Sequence, residues 1–217
     1  MNPILIYCYD AYCGWCYGFS PVMLKIAEDY KDVLDIEVLS GGMMLGENKM
    51  PIEKIGPFIQ SAHKRVEELT GIKFGDDFLW HVNNPDKSDW VMNSEKPAIA
   101  LCIFKEIFPD NQLAFASDLQ YALNFEGRDL DDDEAYRHLL EKYKIGAETF
   151  YSKLKNEEYK EKAYYEFALC KQLQADAFPQ VLLQISDTKF YLVAKGFTSY
   201  DDIHLRIENI LKENKAG

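Results

Sequence analysis

Positive charge is in short supply: 24 Lys and Arg face 36 Asp and Glu over 217 residues, a formal net charge of −12. Such a surface repels phosphate backbones and anionic lipid headgroups, so neither nucleic acid nor membrane is expected as a partner. The chain has no run of about 18 apolar residues, the length a membrane-spanning helix needs. The opening Met-Asn-Pro-Ile-Leu-Ile-Tyr carries no basic stretch and no small-residue cleavage site, so no secretory signal is expected. Internal repeats and low-complexity tracts are missing as well. Cysteine is scarce and odd in number: Cys8, Cys13, Cys16, Cys102 and Cys170. Scattered apart from one close pair, these do not make a secreted disulfide framework. The expected compartment is a reducing cytoplasm, where a permanent staple is rare. Cys13 and Cys16 have a spacing usable by zinc, but His63, His81, His138 and His204 are dispersed and no second ligand pair is in sight. No metal is expected.

What is present is ordinary apolar mass, 47% of the residues, enough for the core of one large domain or of a domain with an insertion. Residues 4–8 are apolar and β-rich, ending at Asp10, and read as a strand. From Cys13 the pattern turns helical, with Phe19, Val22, Met23, Ile26 and Tyr30 recurring at three and four residues. Pro21 is expected to bend this helix or to mark its effective start. Residues 34–39 read as a second strand, stopped by Gly41-Gly42. Strand, helix, strand implies parallel pairing through a right-handed crossover. The β signal then disappears for over a hundred residues: 52–69, 95–108, 113–124, 131–143 and 147–173 all read as helical. The acidic run 131–134 suits the first turn of a helix and lacks the spacing of a calcium loop. Strands return at 180–186 and 190–194 around the turn Asp187-Thr188-Lys189, and a last amphipathic helix spans about 200–211. The expected fold is therefore α/β, with a large inserted all-helical segment.

The chemistry concentrates in Cys13-Gly14-Trp15-Cys16. A Cys-x-x-Cys pair opening a helix just after a strand places the first sulfur at free backbone N–H groups, which stabilise negative charge there. Two intervening residues let the sulfurs reach bonding distance, so the pair can close and open without unfolding the helix. Cys13 is the expected exposed nucleophile and Cys16 the more buried resolving thiol.

The strand, the Cys13-Gly14-Trp15-Cys16 motif with Tyr17-Gly18-Phe19-Ser20-Pro21 behind it, the helical insertion and Phe178-Pro179 opening a later strand resemble the DsbA-type thiol–disulfide oxidoreductases of the thioredoxin superfamily. Within it the chain is similar to the branch of FrnE-like proteins and predicted protein-disulfide isomerases. The resemblance covers nearly the whole chain. It implies a thioredoxin-like domain made of residues 1–42 and 157–217, interrupted by a helical domain of 43–156. It implies Cys13 and Cys16 as the redox couple and a cis Pro179 facing them. The backbone of Phe178 would then pair with an extended substrate, while the residues themselves offer Trp15 with Tyr12, Tyr17 and Phe19 as an apolar rim for unfolded substrate or a small aromatic thiol adduct, or else Tyr17 and Phe19 as packing between sheet and insertion, the reading favoured for Phe19. It implies protein thiols and disulfides, or small thiols, as partners. No cofactor is needed beyond the redox-active disulfide, with glutathione left open as a co-substrate. Three features depart from the family pattern. Tyr7 stands where a buried acid usually lies, Ala11 follows Asp10 where many relatives have proline, and Gly-Trp replaces the Pro-His of strongly oxidising members. Asp10 is a candidate proton relay or a cap of the loop.

Three functions follow: disulfide reduction or isomerisation on proteins; a glutathione-dependent transferase or isomerase of the kappa-class type; or a non-enzymatic adaptor that hands clients to a protease. The intact cysteine pair speaks against the second, whose members usually carry serine at the nucleophile. Cys8 reads as a core strand residue or as a regulatory partner for Cys13. Cys102 and Cys170 fall in apolar helical surroundings.

Overall fold

The computed structural model describes residues 2–215; Met1, Ala216 and Gly217, the outer ends of the expected thioredoxin-like segments, lie outside the described residues. Strand β1 (Ile4–Tyr9) leads through helix α1 (Gly14–Tyr30) to strand β2 (Asp35–Ser40), which pairs with β1 in parallel, Ile4 opposite Asp35 and Tyr9 opposite Ser40. Near the other end of the chain, β5 (Gln180–Ser186) pairs antiparallel with β1, and β6 (Lys189–Lys195) pairs antiparallel with β5 across a two-residue turn. The sheet order is β2-β1-β5-β6, and helix α9 (Tyr200–Lys215) closes the chain.

Alternation along β1 divides the interior in two. Leu5, Tyr7 and Tyr9 enter the main core with Phe19, Met23 and Ile26 of α1. Ile6 and Cys8 point to the other face, into a smaller cluster with Leu39, Cys170 and Leu182. Pro21 lies inside α1, seven residues after its first residue, so it does not start the helix.

Between β2 and β5 lie α2 (Ile52–Thr70), α3 (Asp76–Asn83), α4 (Glu95–Ile107), α5 (Gln112–Asn124), α6 (Arg137–Tyr143), α7 (Ala147–Leu154) and α8 (Glu157–Gln172). One short ribbon joins them, β3 (Met50–Pro51) against β4 (Val91–Met92). The sequence pattern missed α3 and ran α7 and α8 together. The break falls at Asn156, whose side chain accepts the Glu158 N–H at 2.9 Å and caps α8. Phe104 of α4 stacks on Phe115 of α5 at 4.1 Å, and the same continuous core runs from these helices to the sheet.

Two features hold the end of β2, which borders the cysteine pair. The first is a buried ion pair: Lys105 of α4 (15% exposed) lies 2.8 Å from Glu166 of α8 (9% exposed) and 2.7 Å from Glu37. Glu166 also accepts the Ser40 N–H at 2.9 Å, and Lys105 donates to the Val38 carbonyl. Burial alone would lower the Lys105 pKa, but Glu166 and Glu37 outweigh it and hold it above the usual lysine range. The second feature is Gly41. A Cβ there would lie 2.1 Å from the Phe178 ring, so this ring occupies the space that any other residue would need.

Both features give testable expectations. Lys105→Met leaves Glu166 buried without its counter-charge and should cost about 3–5 kcal/mol in urea unfolding. Adding Glu166→Gln, which keeps an oxygen for Ser40 N–H, should recover most of that loss. Gly41→Ala should cost about 1–3 kcal/mol by overpacking, and close to nothing in a Phe178→Ala background. An equal cost in both backgrounds would show that the ring is not what the glycine accommodates.

Candidate active site

Cys13 is the N-cap of α1 and Cys16 lies in the first turn. The Cys16 N–H donates to Cys13 Sγ at 3.2 Å, so a backbone donor at the helix N-terminus already points at the first sulfur. On the other side, Cys13 Sγ lies 3.5 Å from the Phe178 carbonyl oxygen, to which its S–H donates. The Phe178–Pro179 peptide is cis, and the Pro179 carbonyl accepts the Gly196 N–H at 2.8 Å, tying this turn to the end of β6. Phe178, Cys13 and Cys16 thus come together from segments 165 residues apart.

Cys16 is fully buried and Cys13 is 5% exposed. The expected exposed nucleophile is therefore covered, because Phe178 and the helical segment close around it. Its access is an apolar cleft of about 180 Å³, lined by Tyr12, Cys13, Met43, Phe58, His63 and Phe74, among others. A volume of this order admits a benzene-sized group. Phe58 stands on its rim, 67% exposed. Burial, and then the neighbouring Cys13 thiol, push the Cys16 thiol well above the usual cysteine range. Cys16 is thus protonated at neutral pH while both thiols are reduced.

Asp10 is 1% exposed, and its carboxylate is fully engaged. One oxygen accepts the Tyr12 N–H at 3.0 Å and the Ser94 hydroxyl at 2.9 Å; the other accepts the Met43 N–H at 2.7 Å. Burial raises its pKa, and the donors from Met43, Tyr12 and Ser94 oppose the rise. The residue ties the active-site loop to the segment after β2 and to the start of α4, which is the geometry of a cap. Gln120 of α5 adds a second tie: its Nε2 donates to the Asp10 carbonyl at 3.1 Å, and its Oε1 accepts from Ser20 of α1 at 2.8 Å.

Trp15 is half-buried, packs on the main core and is not among the residues lining the cleft. Phe19 is fully buried, and Tyr17 packs edge-on against Phe74 while its hydroxyl donates to the Lys73 carbonyl. Besides Tyr12, the cleft is lined by Met43, Phe58 and Phe74, which the sequence did not single out. Their one signal was position: Met43 follows the Gly41-Gly42 stop. Cys8 faces away from the pair and lies in the smaller cluster with Cys170, so the core reading holds and not that of a partner for Cys13. The neighbouring Cys8, followed by burial, pushes the Cys170 thiol far up. Cys102 donates to Glu166 at 3.5 Å. Among the described residues no group of three or more His, Cys, Asp and Glu side chains could hold a metal ion, and no helix is long and apolar enough to cross a membrane.

Among curated proteins none matches the chain. Solved structures do. A provisionally named protein disulfide isomerase from Nitrosomonas europaea is 21% identical, with 98% of this chain and 99% of that one covered and a TM-score of 0.83. The cytosolic disulfide reductase DsbM from Pseudomonas aeruginosa is 26% identical over 96% of this chain and 98% of its own, with a TM-score of 0.77. A 2-hydroxychromene-2-carboxylate isomerase shares the fold at 12% identity and a TM-score of 0.63, with 98% of each chain covered. The model of the DSBA-like thioredoxin domain matches residues 4–208. Sheet order, cysteine placement and this match agree, and the chain belongs to the DSBA-like thioredoxin domain family.

Proposed function

We propose that this protein exchanges disulfides with protein or small-thiol substrates through Cys13 and Cys16, running as a reductase or isomerase in a reducing cytoplasm. The observation that carries this reading is the placement of Cys13 Sγ. It lies between the Cys16 N–H at the head of α1 and the Phe178 carbonyl, and it lines an apolar cleft.

The steps follow from that placement. The Cys13 thiolate attacks one sulfur of a substrate disulfide; that S–S bond breaks, and its electron pair leaves on the other substrate sulfur, which takes up a proton. Cys16 then attacks Cys13 Sγ in the mixed disulfide, and the second substrate sulfur leaves as a thiol. The two electrons come from the Cys13/Cys16 dithiol, which ends as a disulfide. The cleft holds apolar groups flanking the substrate cystine, while Phe178 offers its backbone to an extended segment. Trp15 lies outside the cleft lining and would meet the substrate only beside the motif.

A small-thiol partner has its own support. DsbM, at 26% identity, has been solved with GSH, and glutathione is the natural reductant by which the Cys13–Cys16 disulfide would return to the dithiol. The fold shared with the chromene isomerase supports less, because it is likeness of fold alone. An adaptor role would need no redox couple.

The test is insulin reduction at neutral pH with glutathione or a dithiol as donor. Wild type should accelerate turbidity, Cys13→Ser should abolish the effect, and Cys16→Ala should accumulate a mixed disulfide detectable by mass. A wild type with no activity and no mixed disulfide would leave the adaptor reading in front. Counting free thiols after mild oxidation gives a second check. Two of five should disappear, because Cys13 is the one of the five that lines the cleft and Cys16 stands next to it in the first turn of α1, while Cys8 and Cys170 lie in the cluster on the other face of the sheet.

A further inference from the structure

The sheet has two edges, and the chain treats them differently. Along β2, outward backbone groups are taken up by side chains of the helical segment and of α8. Gln112 of α5 accepts the Val38 N–H at 2.7 Å and donates to the Ile36 carbonyl at 2.8 Å, as a neighbouring strand would. Lys105 donates to the Val38 carbonyl, and Glu166 accepts the Ser40 N–H at 2.9 Å. At the other edge, along β6, a single bond of this kind is made among the described residues. Arg206 of α9 donates to the Val193 carbonyl at 2.6 Å, at a bulge where the strand bends. The run from Lys189 to Leu192 pairs with β5 on one side and has no partner on the other. Strand edges left open in this way are ordinarily guarded by charges. Here the two flanking lysines are turned to groups of their own chain: Lys189 donates to Asn214 of α9 at 2.7 Å, and Lys195 lies 2.6 Å from Asp176. Between them Phe190 is 39% and Leu192 56% exposed. They stand opposite Gln184 and Leu182 of β5, on the sheet face that holds the smaller apolar cluster.

We propose that the β6 edge docks a second copy of this chain, the two β6 strands pairing antiparallel about a two-fold axis at Tyr191 and joining two four-stranded sheets into one. The register follows from the side chains. An axis at Leu192 would set Lys189 opposite Lys195 of the second copy, and like charges directly opposite are destabilising. An axis at Phe190 would leave Leu192 opposite Thr188, in the turn. An axis at Tyr191 sets Phe190 opposite Leu192 of the second copy, and Leu192 opposite its Phe190. Both exposed apolar side chains are then covered by one repeated contact. The same register brings Asp187, which forms no ion pair among the described residues, alongside Lys195 of the second copy. That ammonium has three donors and spends one on Asp176. The pairing also leaves the cysteine sites free. The Gly196 N–H donates to the Pro179 carbonyl, so the Lys195 end of β6 is the active-site end of the sheet. In an antiparallel pair those ends point in opposite directions, and each Cys13 cleft stays open.

The test is the mass of the reduced full-length protein in solution, by sedimentation equilibrium over a dilution series. Wild type should pass from twice the chain mass to the chain mass as it is diluted. Leu192→Lys places a charge on the paired face and should be monomeric throughout. Leu69→Lys, at another exposed leucine on α2, should associate as wild type does. Asp187→Lys should weaken association by about tenfold, the loss of two exposed ion pairs. Adding Lys195→Glu to Asp187→Lys restores opposite charges across the axis and should recover most of that loss. A wild type that is monomeric at every concentration, or a dimer that Leu192→Lys leaves intact, overturns the proposal. A double variant that associates no more tightly than Asp187→Lys alone overturns it as well. None of these masses depends on Cys13 or Cys16, so the outcome is independent of the exchange reading.

Discussion

The Asp10 carboxylate is the constraint on which the site depends. It lies just past the end of β1, and its two oxygens gather donors from three directions: the loop leading to Cys13, the segment after β2, and the first residue before α4. A buried carboxylate without those donors would be costly, and a buried loop without that acceptor would leave its own N–H groups unpaired. Each side therefore requires the other. The result is that the helical segment is fixed to the active-site loop by polar bonds as well as by the shared apolar core. Tyr12 and Met43, which donate to this carboxylate, both line the cleft.

The remaining architecture serves to bring one carbonyl to one sulfur. Phe178 arrives from the far end of the chain, its ring seated over Gly41, and its oxygen meets Cys13. Glu166 holds the strand end that carries Gly41, and Lys105 neutralises Glu166. A charge pair on α4 and α8 thus reaches the sulfur indirectly, through the Ser40 hydrogen bond and the Phe178 ring seated over Gly41.

Much of this was legible in the residues. The four sheet strands show as short β-rich runs, and the cysteine motif announces its place at a helix start. The failures have physical causes. Helix α3 is only eight residues long and follows Ile72 and Phe74, so its period never separates from the apolar loop before it. Strands β3 and β4 are two residues each, below the length at which alternation exists. The cleft was invisible because Met43, Phe58 and Phe74 look like any other apolar positions. Whether such a side chain enters a core or lines an opening depends on what packs opposite it, and that is a tertiary fact. Cys8 is a related case. It reads as a core strand residue and is one, but only the pleat of β1, which turns it to the other face of the sheet toward Cys170, removes the alternative of a partner for Cys13.

The order of the strands sets a timetable for biosynthesis. β1 lies at the centre of the sheet, but one of its two neighbours, β5, is about 180 residues downstream, with Ile4 opposite Gln184. On a ribosome adding roughly 5–20 residues per second, the carbonyl that will cover Cys13 follows it by 165 residues. For much of its own synthesis the nascent chain therefore carries a vicinal thiol pair with neither the Phe178 lid nor the fourth wall of its sheet. The shelter that Phe178 gives Cys13 in the folded protein is thus built well after the sulfur it covers.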